Sequence, residues 1–161
     1  MELVESGRLT DFIRDRFKSG GGKFTDLESS ALMKGILSAV EYMHEKGIVH
    51  RDLKPGKLSL SNVYLDNILL SDRDDLSSCK VVDFGLSAKY KLAEGGMDQL
   101  CGTFIYMAPE VAAHHHEYTK SVDIWATGII MYEVLTGGKH PLFVHGEDSI
   151  ETYKKKLQRL E

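Results

Sequence analysis

Apolar residues return at helical spacing in two stretches of this chain and form short β-like runs in a third. Leu32, Ile36, Val40 and Met43 recur every three to four positions, so they share one face of a helix. Thr25-Asp26-Leu27-Glu28 stands just ahead of them and reads as a capping box, with Thr25 as cap and Glu28 reaching back. Gly47 is the stop. A shorter helix is predicted over Leu9 to Phe17, set apart by the glycine-rich run Lys18 to Lys23. Asn67-Ile68-Leu69-Leu70 and Lys80-Val81-Val82 flank a polar turn, Ser71 to Ser78, and predict a small hairpin. Residues 83–109 show no period and read as loop. From Ser121 to Thr136 the chain is apolar almost all round, with Gly137 as stop, which predicts a buried helix. Asp123 on that helix then needs partners, because a buried carboxylate is costly without them. Helices, a small β element, a long loop and more helices together predict a mostly α-helical α+β fold.

Composition narrows the class. The chain has 161 residues, enough for one domain and not comfortably for two. A net charge of −4 gives no polycationic footprint, so nucleic acid is not expected as a partner. Cys79 and Cys101 make no disulfide framework and read as reduced residues of an intracellular, cytoplasmic protein. The first residues lack a signal-peptide pattern. The longest apolar stretch, Val122 to Leu135, carries Asp123 and Glu133 and is too short to span a bilayer, so no membrane role is expected. His114-His115-His116 reads as a solvated loop, since adjacent side chains cannot easily face one metal ion. Lys154-Lys155-Lys156 reads as a solvated helix face.

Three short motifs carry the chemistry. His50-Arg51-Asp52-Leu53-Lys54-Pro55 comes first, Asp83-Phe84-Gly85 follows the second β run, and Ala108-Pro109-Glu110 closes the loop. In this order they resemble the signature set of the eukaryotic protein kinases. The resemblance covers nearly the whole chain. Met1-Glu2-Leu3-Val4-Glu5 resembles the hinge between the two kinase lobes, and Asp-Phe-Gly-Leu-Ser and Cys-Gly-Thr-Phe-Ile-Tyr-Met-Ala-Pro-Glu fit the calcium/calmodulin-dependent branch. Residues 1–161 are therefore expected to be a partial protein kinase domain, the C-terminal lobe of the fold, of the serine/threonine type.

The resemblance assigns roles. ATP and Mg²⁺ are the implied cofactors, and a protein with a Ser or Thr acceptor is the implied partner. Asp52 would take or orient the acceptor hydroxyl proton, and Lys54 would hold the transferring phosphoryl as a point charge. Thr103 resembles the residue that bonds both of them in serine/threonine kinases. Asp83 would ligate Mg²⁺ through carboxylate oxygen, and Asn67 would add an amide oxygen to a second ion. The backbone of Glu2 and Val4 would meet adenine, with Leu69 as its floor. His50, Arg51, Phe84, Gly85, Glu110 and Asp123 are implied as structural or regulatory, Asp123 by anchoring the backbone of the catalytic loop.

Four departures from the family pattern stand out. The chain starts at the hinge, without a glycine-rich phosphate loop, strand lysine or partner glutamate, and stops before the family's last helices, where Glu110 would find its arginine. The fragment alone is thus expected to bind ATP poorly and turn over little. Residues 56–66 are an atypical insertion in the catalytic loop: the family places the asparagine about five positions after the aspartate, whereas Asp52 and Asn67 are fifteen apart. Asn62 is a rival for the metal-binding role, and a short intron read through in frame would explain the insertion. Either the insertion bulges out completely or it disables the site, since a misplacement of about 1 Å costs roughly 10²-fold in rate. No serine or threonine lies between Lys89 and Cys101, so Asp98 or Glu94 is expected to offer Arg51 a fixed negative charge in place of a phosphate. Arg8 stands where this branch often has glutamate and should weaken a preference for arginine-rich peptides. Two other readings compete: a catalytically dead, pseudokinase-like binding module, and a truncated gene-model fragment. Calcium-sensor regulation would act through segments beyond Glu161.

Overall fold

The computed structural model describes residues 7–20, 22–55, 67–90, 95–112 and 118–160. Helix α1 spans Leu9–Lys18 and α2 spans Asp26–Glu45. The start of α2 is the reciprocal box its sequence predicts. Thr25 Oγ1 accepts from the Glu28 amide at 3.2 Å, while Glu28 Oε2 accepts from the Thr25 amide at 2.8 Å. Its apolar stripe of Leu32, Ile36, Val40 and Met43 is buried.

Strands β1 (Ile48–Val49), β2 (Ile68–Leu70), β3 (Cys79–Val81) and β4 (Ala88–Lys89) form two small antiparallel pairs. In the β2–β3 hairpin, Ile68 faces Val81, Leu69 faces Lys80 and Leu70 faces Cys79. Alternation sends Ile68 and Leu70 into the core and Leu69 to the opposite face. The second pair, β1 with β4, falls partly inside the region read as loop. Strands of two residues are too short to show alternation, so only tertiary contact reveals them. The same region also holds 3₁₀ turns at Phe84–Leu86 and Phe104–Tyr106.

Helices α3 (Pro109–Ala112), α4 (Ser121–Thr136) and α5 (Ile150–Leu157) complete the order. The bounds of α4 match the sequence prediction, and Gly137 ends it at φ +77°. Its burial does not match. Val122, Ala126, Ile129, Ile130 and Val134 are buried, but Ile124, Met131 and Leu135 are 50, 46 and 43% exposed. These three share a stripe that the described residues of α2, α3 and the 3₁₀ turns leave uncovered. The core is built instead where α2 meets α4 and the β2–β3 hairpin. Trp125 joins it to two smaller clusters, one around Val49 and Tyr118 and one around Tyr153. Among the described residues no helix is long and apolar enough to cross a membrane.

Candidate active site

The site begins with a buried charge. Asp123, on the first turn of α4, is 1% exposed. The amides of His50 and Arg51 each donate to it at 2.9 Å, and His44 Nε2 lies 2.8 Å from Oδ2. Those bonds tie α4, the end of α2 and the loop after β1 together. His50 is fully buried, and its Nε2 lies 3.0 Å from the Val82 carbonyl. Arg51 has φ +68°, a left-handed conformation that costs an L-residue about 1–2 kcal/mol. Its backbone is held there by Asp123, and its Nε donates to the Leu86 carbonyl at 2.7 Å.

That turn delivers Asp52 to the centre. Its Oδ1 accepts from the Thr103 amide and hydroxyl, both at 2.7 Å. Its Oδ2 accepts from Lys54 Nζ at 2.6 Å and from Asn67 Nδ2 at 3.0 Å. Lys54 Nζ also donates to Thr103 Oγ1 at 2.8 Å. A carboxylate with four donors has little rotational freedom, which is the condition for aiming it at one substrate proton. Gly102 makes the approach of Thr103 feasible. A Cβ there would sit 2.3 Å from the Arg51 carbonyl oxygen, and φ is +99°.

The long separation between Asp52 and Asn67 is closed in space. Asn67 Nδ2 donates to the Asp52 carbonyl at 2.8 Å, and the Asn67 amide donates to the Lys54 carbonyl at 3.3 Å. The chain therefore leaves after Pro55 and returns at Asn67 to the same spot. Residues 56–66, with the rival Asn62, lie outside the described residues.

Asp83 has φ +62° and caps the 3₁₀ turn, its Oδ1 accepting from the Gly85 amide at 3.2 Å. The residue before it is pinned, since the Val82 amide donates to the Asn67 carbonyl at 3.0 Å. Asp83 is exposed, and Phe84 leans its ring edge-on toward His50 with centroids 5.2 Å apart. Asn67 and Asp83 thus bring an amide oxygen and a carboxylate to neighbouring segments. Such hard oxygen donors suit Mg²⁺, which takes one or two protein oxygens and fills its octahedron with phosphate and water. Among the described residues no cluster of three or more His, Cys, Asp or Glu exists to hold a softer metal.

Some sequence-based expectations meet a different geometry. Arg51 faces neutral groups: Nη2 donates to Gln99 Oε1 at 3.3 Å and Nη1 to the Tyr118 hydroxyl at 3.2 Å. Asp98 is exposed and makes no bond to Arg51; its neighbour Gln99, also exposed, takes the guanidinium instead. Glu94, Glu2 and Val4 lie outside the described residues. Glu110 is half-buried, and Ser121 Oγ donates to it at 3.4 Å. Leu69 is half-buried on the hairpin face away from the core, beside Arg8.

Sequence reasoning missed His44, Gln99 and Tyr118, which carry no motif and reach the site only through tertiary contact. It also missed Glu133, buried at 5% exposure, whose two oxygens accept from the Tyr106 hydroxyl at 2.9 and 3.1 Å. Burial pushes this carboxyl up to about 8, against a weaker downward pull from Tyr106. A second acid, besides Asp123, inside an apolar helix is the one available signal.

Comparison with known proteins gives this geometry a family. A sequence profile of the protein kinase domain matches residues 1–161. Serine/threonine-protein kinase 33 of Mus musculus is 38% identical over 165 residues, covering all of this chain and 31% of that protein. Calcium/calmodulin-dependent protein kinase type 1 of Macrobrachium nipponense is 39% identical over 150 residues, 92% of this chain and 37% of its own length. CDPK-related kinase 5 of Arabidopsis thaliana is 37% identical over 150 residues, 93% of this chain and 22% of its own. The chain thus spans less than two-fifths of each of these relatives, while the profile match runs along its whole length: it belongs to the protein kinase domain family.

Proposed function

We propose that this chain carries the phosphoryl-transfer residues of a protein serine/threonine kinase, which moves the γ-phosphoryl of ATP to a Ser or Thr hydroxyl of a protein. The observation that carries the reading is the convergence on Asp52 of Thr103, Lys54 and Asn67. In the proposed reaction the acceptor oxygen bonds to the γ-phosphorus and the bond to the β–γ bridging oxygen breaks, releasing ADP. The hydroxyl proton passes to the Asp52 carboxylate. Lys54 balances charge on the phosphoryl oxygens, and Thr103 keeps Asp52 and Lys54 in register. Asp83 and Asn67 would hold Mg²⁺, which when bound neutralises the phosphate charge.

We read the chain as the C-terminal lobe of the kinase fold and residues 56–66 as an insertion. The closed approach of Asn67 to Asp52 favours an insertion that leaves the site intact. Calcium-sensor control of the parent protein is part of the reading, supported by relatives whose names say calcium/calmodulin-dependent and CDPK-related. The test is thermal stabilisation of the chain by millimolar ATP with and without Mg²⁺, followed by phosphate transfer to a Ser/Thr peptide library. Weak stabilisation that appears only at millimolar ATP, needs Mg²⁺ and vanishes in Asp83→Asn is the expected result. Equal melting in all conditions would overturn the reading and leave a binding module.

A further inference from the structure

Tyr118 precedes α4 and belongs to no helix or named strand, yet it is 3% exposed, with its ring packed among Val49, Val111 and Val122. Its backbone makes an isolated antiparallel bridge to Met97. The Met97 amide donates to the Tyr118 carbonyl and the Tyr118 amide to the Met97 carbonyl, both at 2.9 Å. Its hydroxyl donates to the Gln99 carbonyl at 2.6 Å and accepts from Arg51 Nη1 at 3.2 Å. Burial holds the phenol above its ordinary 10.0, against the pull of Arg51, so the hydroxyl keeps the proton it donates.

These bonds fix one end of a segment whose other end lies in the site. Gln99 Oε1 accepts from Arg51 Nη2 at 3.3 Å. Further along, Gly102 lies on the Arg51 carbonyl oxygen, with no room for a Cβ between them. The next residue is Thr103, whose amide and hydroxyl both reach Asp52 Oδ1. Cys101 stands between the two anchors, its Sγ 4.0 Å from the Tyr118 hydroxyl. The space left among Arg51, Asp52, Cys101 and Tyr118 is about 20 Å³, room for one water, so the segment has little slack. Arg51 completes its bonding at the Leu86 carbonyl. Among the described residues every side-chain partner of that guanidinium is therefore neutral, and the Tyr118 hydroxyl is the one that also binds the backbone of the segment.

Resting on the kinase reading above, we propose that Tyr118 is a positioning residue for phosphoryl transfer: its hydroxyl, shared between Arg51 and the Gln99 carbonyl, clamps residues 97–103 so that Thr103 is presented to Asp52. Tyr118 touches no reacting atom and acts through Arg51 and the segment it holds. The clamp is built from a hydroxyl and an amide, so it needs no charge on the segment. A carboxylate at position 99 would tighten it, because a charge-assisted bond to a guanidinium is stronger than a neutral one.

The experiment compares the wild-type chain with Tyr118→Phe, which keeps the buried ring and removes the hydroxyl. The melting temperature is expected to fall by only about 2–4 °C. Amide exchange across 97–103, read by mass spectrometry, and thiol labelling at Cys101, mapped apart from Cys79, are each expected to rise about tenfold as the bonds of the hydroxyl are lost. Thr25→Ala strips the cap of α2, loses a similar stability and should leave both rates unchanged. Gln99→Ala, on an exposed side chain, should raise both rates about two- to threefold, and Gln99→Glu should lower them. Phosphate transfer to a serine peptide, followed with radiolabelled ATP, should lose about tenfold in kcat in Tyr118→Phe with KM for ATP unchanged. Unchanged exchange and labelling in Tyr118→Phe, or an equal rise in Thr25→Ala, would overturn the clamp. If Tyr118→Phe does not fold, the two Gln99 variants decide, and equal rates in both count against the proposal. Loosening of 97–103 with no transfer by any of the proteins would sink phosphoryl transfer and spare the clamp; transfer that Tyr118→Phe leaves at the wild-type rate would do the reverse.

Discussion

Glu133→Gln isolates one buried proton. Burial lifts the Glu133 carboxyl from its ordinary 4.5 to about 8, so between those values the folded chain holds a proton that the unfolded chain has lost. Stability must then fall as pH rises through that window, by about 1.4 kcal/mol per pH unit at most. His140 works against it at the acid end. Burial lowers that imidazole from 6.5 to about 4, so the unfolded chain holds the extra proton there and stability rises with pH. The two effects oppose below pH 6.5, and above it the Glu133 effect prevails. From pH 6.5 to 8.5 the wild-type chain should lose on the order of 2 kcal/mol. The carboxamide of the variant can still accept from Tyr106 but does not titrate. Urea unfolding at a series of pH values measures both proteins. Subtracting the variant's curve removes the titrations the two proteins share. Cys79 stays out of the window, since burial lifts its thiol from 9.0 to about 12 and its effect falls between those values, above pH 8.5. Parallel curves for the two proteins would refute the assignment of a buried, protonated Glu133.

Asp123→Ala strands the amides of His50 and Arg51 and should cost about 3–5 kcal/mol in urea unfolding; a loss below about 1 kcal/mol would remove Asp123 as the anchor. Asp83→Asn changes an exposed side chain, so the melting temperature without nucleotide should hold while the Mg²⁺-dependent gain with ATP disappears, as differential scanning fluorimetry would report. Gly102→Ala puts a Cβ against the Arg51 carbonyl and should destabilise by about 1–3 kcal/mol, with wild-type stability as the contrary result. Asp98→Ala should leave melting and nucleotide response unchanged, because Gln99 and Tyr118 already occupy Arg51.

Much of this architecture is legible in local sequence because local physics decides it. The Thr25–Glu28 box and the Gly137 stop fix helix ends within a few residues of themselves, and the structure repeats them. The β1–β4 pair joins residues about forty apart in two-residue strands, so no local pattern encodes it. The apolar girth of α4 reads as full burial, but periodicity reports how apolar a helix is and not how many neighbours arrive to cover it. At the site, the motif residues Asp52, Lys54 and Thr103 are named by resemblance, and their mutual bonds are tertiary facts. Gln99 stands in place of Asp98 opposite Arg51 because a one-residue difference in an irregular segment changes which side chain faces the guanidinium.

The bonds to Asp123 also set a timetable. They join it to His44, His50 and Arg51 across 79, 73 and 72 residues. Closing a span of that length costs entropy that only the docking of α4 repays. The left-handed turn at Arg51 has no local support strong enough to hold it before then. On a ribosome, α2 and the segment that will carry Asp52 emerge well ahead of α4, and the Asp52 carboxylate stays unaimed until Asp123 arrives. The chain thus acquires its candidate chemistry late and in one step, and a polypeptide released before α4 is made carries the motif without the site.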